Sequence, residues 1–385
     1  MEILLGLKPI ELELEAASLM TSIRLERSKH WINEGILTKS HVNRLDEMKE
    51  GMPELQYPQD KSIKKVRMKN LFKTVIGSRK EFDKKLIKPR PLGGLDVNCF
   101  TDGSKTDNGA GASYIMMGND DEWRIFKRQE FIHLGQSVTV FQAEITAIAR
   151  AALDMIDANI TGRFVNFYID SQAAIKALDS YMVRLKSVAD GKRILNKLSE
   201  QGNVVTLNWI PGHSGQPGNE IADHLAKRGA DLEDMGSEPR LPVSGCVTKE
   251  VAERWKNNEH TKKWEERSDC RQSKLVLPYA EHEWKNRALS LERDELKVVT
   301  QLVTGHANLK RHRHVMGLEE NELCQFCGES QTSIHILTEC PEFYELRKSK
   351  FGKRIISENE IKHNKLVKIV QFARGTGLWN CLGGP

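Results

Sequence analysis

Between residues 96 and 234, short β-rich runs alternate with helix-periodic stretches, and four acidic residues fall at or near the junctions. Few folds are open to such a chain, because each element is apolar on one side and must bury that side against a neighbour. DVNCFTDGS reads as a strand ending at Asp102 and AGASYIM as its hairpin partner, with the Gly, Asn and Asp residues of DGSKTDNGAG supplying the turn. A third strand is expected over residues 122–128. Residues 140–159 (VFQAEITAIARAALDMIDAN) are Ala-rich and helix-periodic. RFVNFYI is a strand leading into Asp170, and SQAAIKALD is a helix capped by Ser171. A second helix fits residues 183–201, VVTLNWI is a strand, and the loop PGHSGQPGNE precedes a helix over residues 219–230. These elements predict a layered α/β domain with five strands.

Asp102 and Asp170 each close a predicted strand, Glu144 lies one turn into the Ala-rich helix, and Asp223 lies in the last helix. In an open α/β sheet, strand ends and adjoining helix starts converge on one crevice. Four carboxylates gathered there repel one another unless a cation neutralises them. Oxygen-only donor sets select Mg²⁺ or Mn²⁺. A pair of such ions about 3.5–4 Å apart can support both the attacking and the leaving oxygen of a phosphodiester displacement. Taken singly, an Asp at a strand end is more often a turn or helix cap than a ligand.

Charge is unevenly spread. The net charge is +6 over residues 1–95, −5 over 96–235 and +4 over the remainder. Residues 61–90 hold 12 basic residues against two acidic ones, a run that suits a nucleic-acid backbone and equally suits a solvated helix face or linker. Residues 88–94 are rich in Pro and Gly and read as a linker, and MGSEPRLPVSG (235–245) marks a second boundary. Three regions are therefore expected: a helical, basic segment over 1–94, the α/β domain over 95–234, and a helical C-terminal module over 235–385. No apolar run reaches the roughly 18 residues of a membrane span. The acidic start MEILLGLKPIELELE lacks the features of a signal peptide. The expected location is nuclear or cytoplasmic, with no membrane partner.

The seven cysteines are odd in number and few for the length, which argues against a disulfide framework. Cys324-x2-Cys327-x7-His335-x4-Cys340 offers three thiolates and one imidazole, a closed tetrahedral shell for structural Zn²⁺. The plain alternative is a set of reduced cysteines near a histidine. His306, His312 and His314, with Lys310, Arg311 and Arg313, read as a basic surface rather than as ligands.

TDGS at 101–104, QAE at 142–144, YIDSQAAI at 168–175 and GHSGQPGNEIAD at 212–223 resemble, in order, the four signature blocks of ribonuclease H type 1. The resemblance covers about a third of the chain. It implies a mixed sheet with flanking helices, and hydrolysis of the RNA strand of RNA–DNA hybrids with two Mg²⁺ (or Mn²⁺) ions, leaving 5′-phosphate and 3′-hydroxyl ends. Asp102, Glu144, Asp170 and Asp223 would then be the catalytic, metal-binding set, with His213 assisting proton movement or product departure. Selectivity for RNA has to come from 2′-hydroxyl contacts in the minor groove. Ser104 and Gln142 are the candidate substrate contacts, while Asn219 matches the loop-to-helix junction, where it could cap the helix or touch substrate. The chain departs from bacterial members at Val140 and Phe141, where an asparagine pair is usual. Residues 178–188 are also too few for the basic protrusion some members use on DNA. Hybrid affinity would then fall to flanking segments such as the basic run.

LVTGHANLKRHRHVMGL followed by CQFCGESQTSIHILTECPEFYELR resembles the tail of jockey-like non-LTR retrotransposon polyproteins, where a Cys-Cys-His-Cys module follows ribonuclease H. MEILLGLKPIELELEAASLMTSIRL is similar to the segment after the reverse transcriptase thumb in those elements. No Tyr-x-Asp-Asp-type polymerase motif is present. The expected protein is therefore the C-terminal portion of such a polyprotein, read as its own product. The rival readings are a catalytically inactive nucleic-acid-binding relic and a DNA-acting nuclease on a similar fold.

Overall fold

The computed structural model describes residues 5–28, 47–60, 62–80, 95–119, 125–232, 241–277, 282–363 and 366–382. The expected linker at 88–94, the end of the basic run, and residues 235–240 of the second boundary lie outside them. Contacts divide the chain into two units, Ser18–Ala252 and Met1–Ala17 with Glu253–Pro385. In chain order the elements are α1 (Ile10–Ser28), α2 (Pro53–Gln56), β1 (Ser62–Arg67), β2 (Lys73–Val75), β3 (Asp96–Lys105), β4 (Ala110–Asn119) and β5 (Ile125–Gly135). There follow α3 (Val140–Asp157), β6 (Phe164–Ile169), α4 (Gln172–Asp179), β7 (Met182–Leu185), α5 (Lys186–Glu200), β8 (Val204–Trp209), α6 (Pro217–Ala230) and α7 (Gly245–Glu266).

In the first unit the sheet order is β2-β8-β6-β3-β4-β5. Strands β2, β8, β6 and β3 run parallel, and β3, β4 and β5 are antiparallel, so the sheet is mixed as expected. Among the described residues it has six strands, however, not five. The sixth, β2, comes from the segment expected to be helical. Without it β8 would be an edge strand with unpaired backbone groups, and three residues set among lysines are too few to show a period-two pattern. The expected helix over 183–201 likewise begins only at Lys186, because Met182–Leu185 pairs with β1 in a separate two-stranded sheet. Long-range pairing overrides local helical pattern at both places. The third strand runs further than expected, to Gly135.

Successive residues of the central strands face opposite sides. Cys99 and Phe167 enter the core under α3, α4 and α5, whereas Phe100 and Tyr168 pack with Ile210 and Ala222 beneath α6. All are buried, and each large apolar side chain contributes on the order of 1.5–3 kcal/mol. In α1 the buried stripe is Leu12, Ala16, Leu19 and Ile23, while Leu14 is exposed.

The second unit adds α8 (Arg271–Val276), α9 (His282–Leu289), α10 (Arg293–Thr304), α11 (Lys310–Val315), α12 (Ser333–Thr338), α13 (Tyr344–Phe351), α14 (Glu358–His363) and α15 (Leu366–Gly375). Its core includes Trp284, Leu302, Ile336, Phe343 and Phe372. Arg347 is wholly buried there and satisfied by the carbonyls of Ile336, Cys340 and Arg354. Among the described residues, no helix is long and apolar enough to cross a membrane.

Candidate active site

The parallel pairing of β3 with β6 ends at Thr101 opposite Ile169. The next residues, Asp102 and Asp170, therefore emerge side by side. Asp102 does not end its strand as expected: β3 continues to Lys105 because β4 goes on pairing, Asp102 opposite Ser113 and Lys105 opposite Ala110. It marks instead the place where parallel pairing stops. Trp209 Nε1 donates to the Asp170 carbonyl at 3.0 Å and holds that strand end. Helix α3 crosses β3 so closely that a Cβ on Gly103 would lie 2.4 Å from the Glu144 nitrogen, which explains the glycine of TDGS and delivers Glu144 to the two aspartates. Carboxylate oxygens of Asp102, Glu144 and Asp170 lie within 4.8 Å of one another.

Burial acts first on this cluster, and mutual repulsion adds to it. Asp102 is pushed up to about 7 by desolvation, then by the charges of Asp170 and Asp223. Glu144 rises well above the carboxylate range through burial and then Asp102 and Asp170. Asp170 rises through burial, moderated by a hydrogen bond from Asn219. Glu144 Oε2 is buried with no hydrogen-bond partner among the described residues. An orphaned anionic oxygen among three repelling carboxylates is a donor set that fits a hard divalent cation.

Asp223 stands apart from those three. Its carboxylate accepts from Lys227 Nζ at 2.8 Å, and its close neighbours are His213 and Glu220, donor atoms within 4.8 Å of one another. Asp223 remains electrostatically joined to the trio, raising both Asp102 and Asp170. Helix α6, which carries it, is drawn onto β4 by Ser113 Oγ donating to the Ala222 carbonyl at 2.6 Å. The helix is entered from the Gly212–Gly218 loop, where His213 is exposed and adopts φ +51°.

The substrate contacts expected from sequence fare differently. Ser104 is half-buried beside the cluster. Gln142 is buried and used up structurally: it forms a capping box with Thr139 at the start of α3, and its Nε2 donates to the Pro242 carbonyl at 2.8 Å. Asn219 is 2% exposed, donates to Asp170, and leaves its own Oδ1 unpartnered. It does not cap α6, whose cap position is Gln216. Both residues therefore face inward. Glu220 matches the loop-to-helix junction of the resemblance together with Asn219, whereas Lys227 carries no motif signal; their spacings of three and four residues from Asp223 put both on its helix face.

In the second unit, Cys324, Cys327, His335 and Cys340 bring their donor atoms within 4.8 Å. The Cys324–Cys327 turn closes through Gly328 N–H donating to the Cys324 carbonyl at 2.9 Å, with Gly328 at φ +81°. His335 sits on α12, its Nε2 3.2 Å from Cys327 Sγ and its Nδ1 3.4 Å from Glu339 Oε1. Burial pushes the Cys340 thiol up to about 12, and Cys324 adds to this. Three thiols and an imidazole that converge in this way fit Zn²⁺. His306, His312 and His314 lie outside the cluster, as expected.

A helix-flanked mixed sheet with three carboxylates gathered where its parallel strands stop defines an α/β domain with a candidate metal site. Residues 95–231 match the profile of the RNase H family. Ribonuclease HI of Haemophilus ducreyi is 32% identical over 160 residues, 37% of this chain and 97% of that protein. Ribonuclease H of Pseudomonas putida is 41% identical over 73 residues, covering 16% of this chain and 49% of that protein. RNase H1 of the archaeon Halobacterium salinarum aligns over 35% of this chain and 98% of its own at 20% identity, with a TM-score of 0.29. The chain belongs to the ribonuclease H family, hydrolases of RNA–DNA hybrids that generally use Mg²⁺.

Proposed function

We propose that this chain cuts the RNA strand of RNA–DNA hybrids at the Asp102–Glu144–Asp170 cluster, with Asp223 completing a site for two Mg²⁺ (or Mn²⁺) ions. The observation that carries this reading is the crowding of three buried carboxylates, one oxygen unpartnered and one acid lifted to about 7. Bound cations supply the charge that activates water and stabilises the departing 3′-oxygen. The chain's own residues do the rest. Asp102 and Asp170 hold adjacent positions at the end of the parallel strands, and Glu144 closes the trio from α3. Asn219 orients Asp170 from behind. Lys227 holds Asp223 until the site fills. His213, exposed on its loop, carries a proton between the 3′-oxygen and solvent. The products are 5′-phosphate and 3′-hydroxyl ends.

The second unit acts in this reading as a structural zinc module, and the chain as the C-terminal part of a non-LTR retrotransposon polyprotein working in nucleus or cytoplasm. The Cys/His convergence and the motif order along the chain support both parts. The test is cleavage of a labelled hybrid in Mg²⁺ by wild type and Asp102→Asn, with RNA–RNA and DNA–DNA duplexes alongside. Hybrid-specific cutting that vanishes in the variant is expected. Folded wild type that cuts nothing in Mg²⁺ or Mn²⁺ would leave only a binding module.

A further inference from the structure

The basic stretch ahead of the domain is fastened to it rather than trailing from it. β1 pairs antiparallel with β7, Val66 opposite Val183 and Arg67 opposite Met182. Beyond β1, Met68 N–H donates to the Tyr181 carbonyl at 3.0 Å, Leu71 N–H to Asn196 Oδ1 at 2.9 Å, and Asn196 Nδ2 to the Lys69 carbonyl at 3.0 Å. Asn70 Nδ2 and Thr74 Oγ1 both donate to Asp179 Oδ1, at 3.2 and 2.8 Å. A solvated linker needs none of these bonds.

The charge on this platform is unspent. Arg67, Lys69, Lys73, Arg79 and Lys80, with Arg184 on β7, are exposed and have no ion-pair partner among the described residues. Nearby Lys186 and Arg193, by contrast, share Asp190 at 2.5 Å each. Like charges held on rigid backbone repel one another, and a polyanion relieves that repulsion. The domain needs such help, because residues 96–235 carry −5 and repel a nucleic acid approaching the acid cluster. The platform is also in reach. Helix α4 runs from beside Asp170 to Asp179, the residue that Asn70 and Thr74 grip. Eight helical residues span roughly 12 Å, about four base pairs of duplex.

We infer that the β1–β7 sheet and the segment through Lys73 bind the phosphate backbone of the duplex whose RNA is cut at the acid cluster, an inference that rests on the ribonuclease reading above. It assigns the grip to residues ahead of the family-matched stretch, joined by Arg184 on β7 within it, with Lys73 at the edge of the larger sheet. Phosphates bound here position the duplex and carry no base information.

The test uses the full chain with Asp102→Asn, so that substrate persists, and a labelled RNA–DNA hybrid titrated across KCl concentrations. Arg67→Ser/Arg184→Ser is compared with the parent and with Lys127→Ser/Arg128→Ser on β5, the opposite sheet edge. The expected result is weaker binding only for the first pair, with the slope of log K against log salt reduced by ~1–2. In the active background the same pair should raise KM several-fold, with a smaller effect on kcat. A slope and KM equal to the parent's, in a chain that still binds and cuts the hybrid, would sink the grip alone. A parent that neither binds nor cuts the hybrid would sink the ribonuclease reading and the grip with it.

Discussion

The acid cluster and the Cys/His cluster solve opposite problems. The four thiol and imidazole donors lie within residues 324–340, on one knuckle turn, one short helix and the chain just past its end, so local geometry almost suffices to bring them together. The carboxylates come from β3, α3, the end of β6 and α6, and only the assembled sheet makes them neighbours. The Cys/His cluster is soft-donor, suited to an ion that holds a fold. The acid cluster is hard-donor and crowded by its own charge, with Asp223 paired to Lys227. A donor set that folding can complete locally serves structure, and one that folding must force together against repulsion is poised for chemistry.

Breaking the local cluster should have the largest energetic effect. Cys340→Ser or Cys324→Ser should abolish zinc binding, measured by metal analysis of purified protein, and unfold the second unit. Structural zinc is worth on the order of 10 kcal/mol in small modules. A variant that keeps a full equivalent of zinc would refute the shell. Asp102→Asn should cut hybrid cleavage by roughly 10³-fold or more, about 4 kcal/mol at 1.4 per decade, while raising the thermal midpoint in EDTA. A fall in that midpoint would mean Asp102 is a structural residue.

The repulsion has a pH signature. Asp102 titrates near 7 in the fold against 3.8 free, so the folded state binds the extra proton. That contribution is complete below the ordinary carboxylate range and is lost as pH rises through about 7. Metal-free protein should therefore melt lower at pH 8 than at pH 6, with Mg²⁺ stabilising it more at pH 8. Equal Mg²⁺ effects at both pH values would contradict a crowded, cation-seeking site. Asn219→Ala should reduce activity by about 10–100-fold, as loss of a partner that orients a ligand does. Asn219→Asp should not rescue it, because a second acid would face Asp170. Smallest of all, Gln142→Ala should cost about 1 kcal/mol in thermal stability through loss of the capping box.

Much of this was legible in the linear chain. The α/β order and the Ser171 cap follow from period and turn residues, properties of neighbouring residues, and the family resemblance singled out Asp102, Glu144 and Asp170. The spacing of Cys324, Cys327, His335 and Cys340 marked out a metal shell, whereas the close approach that requires Gly103 shows only in the fold. What sequence could not reveal depended on partners far along the chain. The strands at 62–67 and 73–75 are strands because β7 and β8 offer unpaired edges, although SIKKVR and KTV are short and set in a basic stretch. Gln142 and Asn219 face inward because Pro242 and Asp170 are there to receive them. Lys227 draws Asp223 away from the other acids by a contact no motif records. Residue type and local spacing thus settled which elements form and which side chains carry chemistry. The direction each side chain faces, and what the basic run is fastened to, were decided by folding, since pairing and burial energies depend on groups brought together from distant stretches of chain.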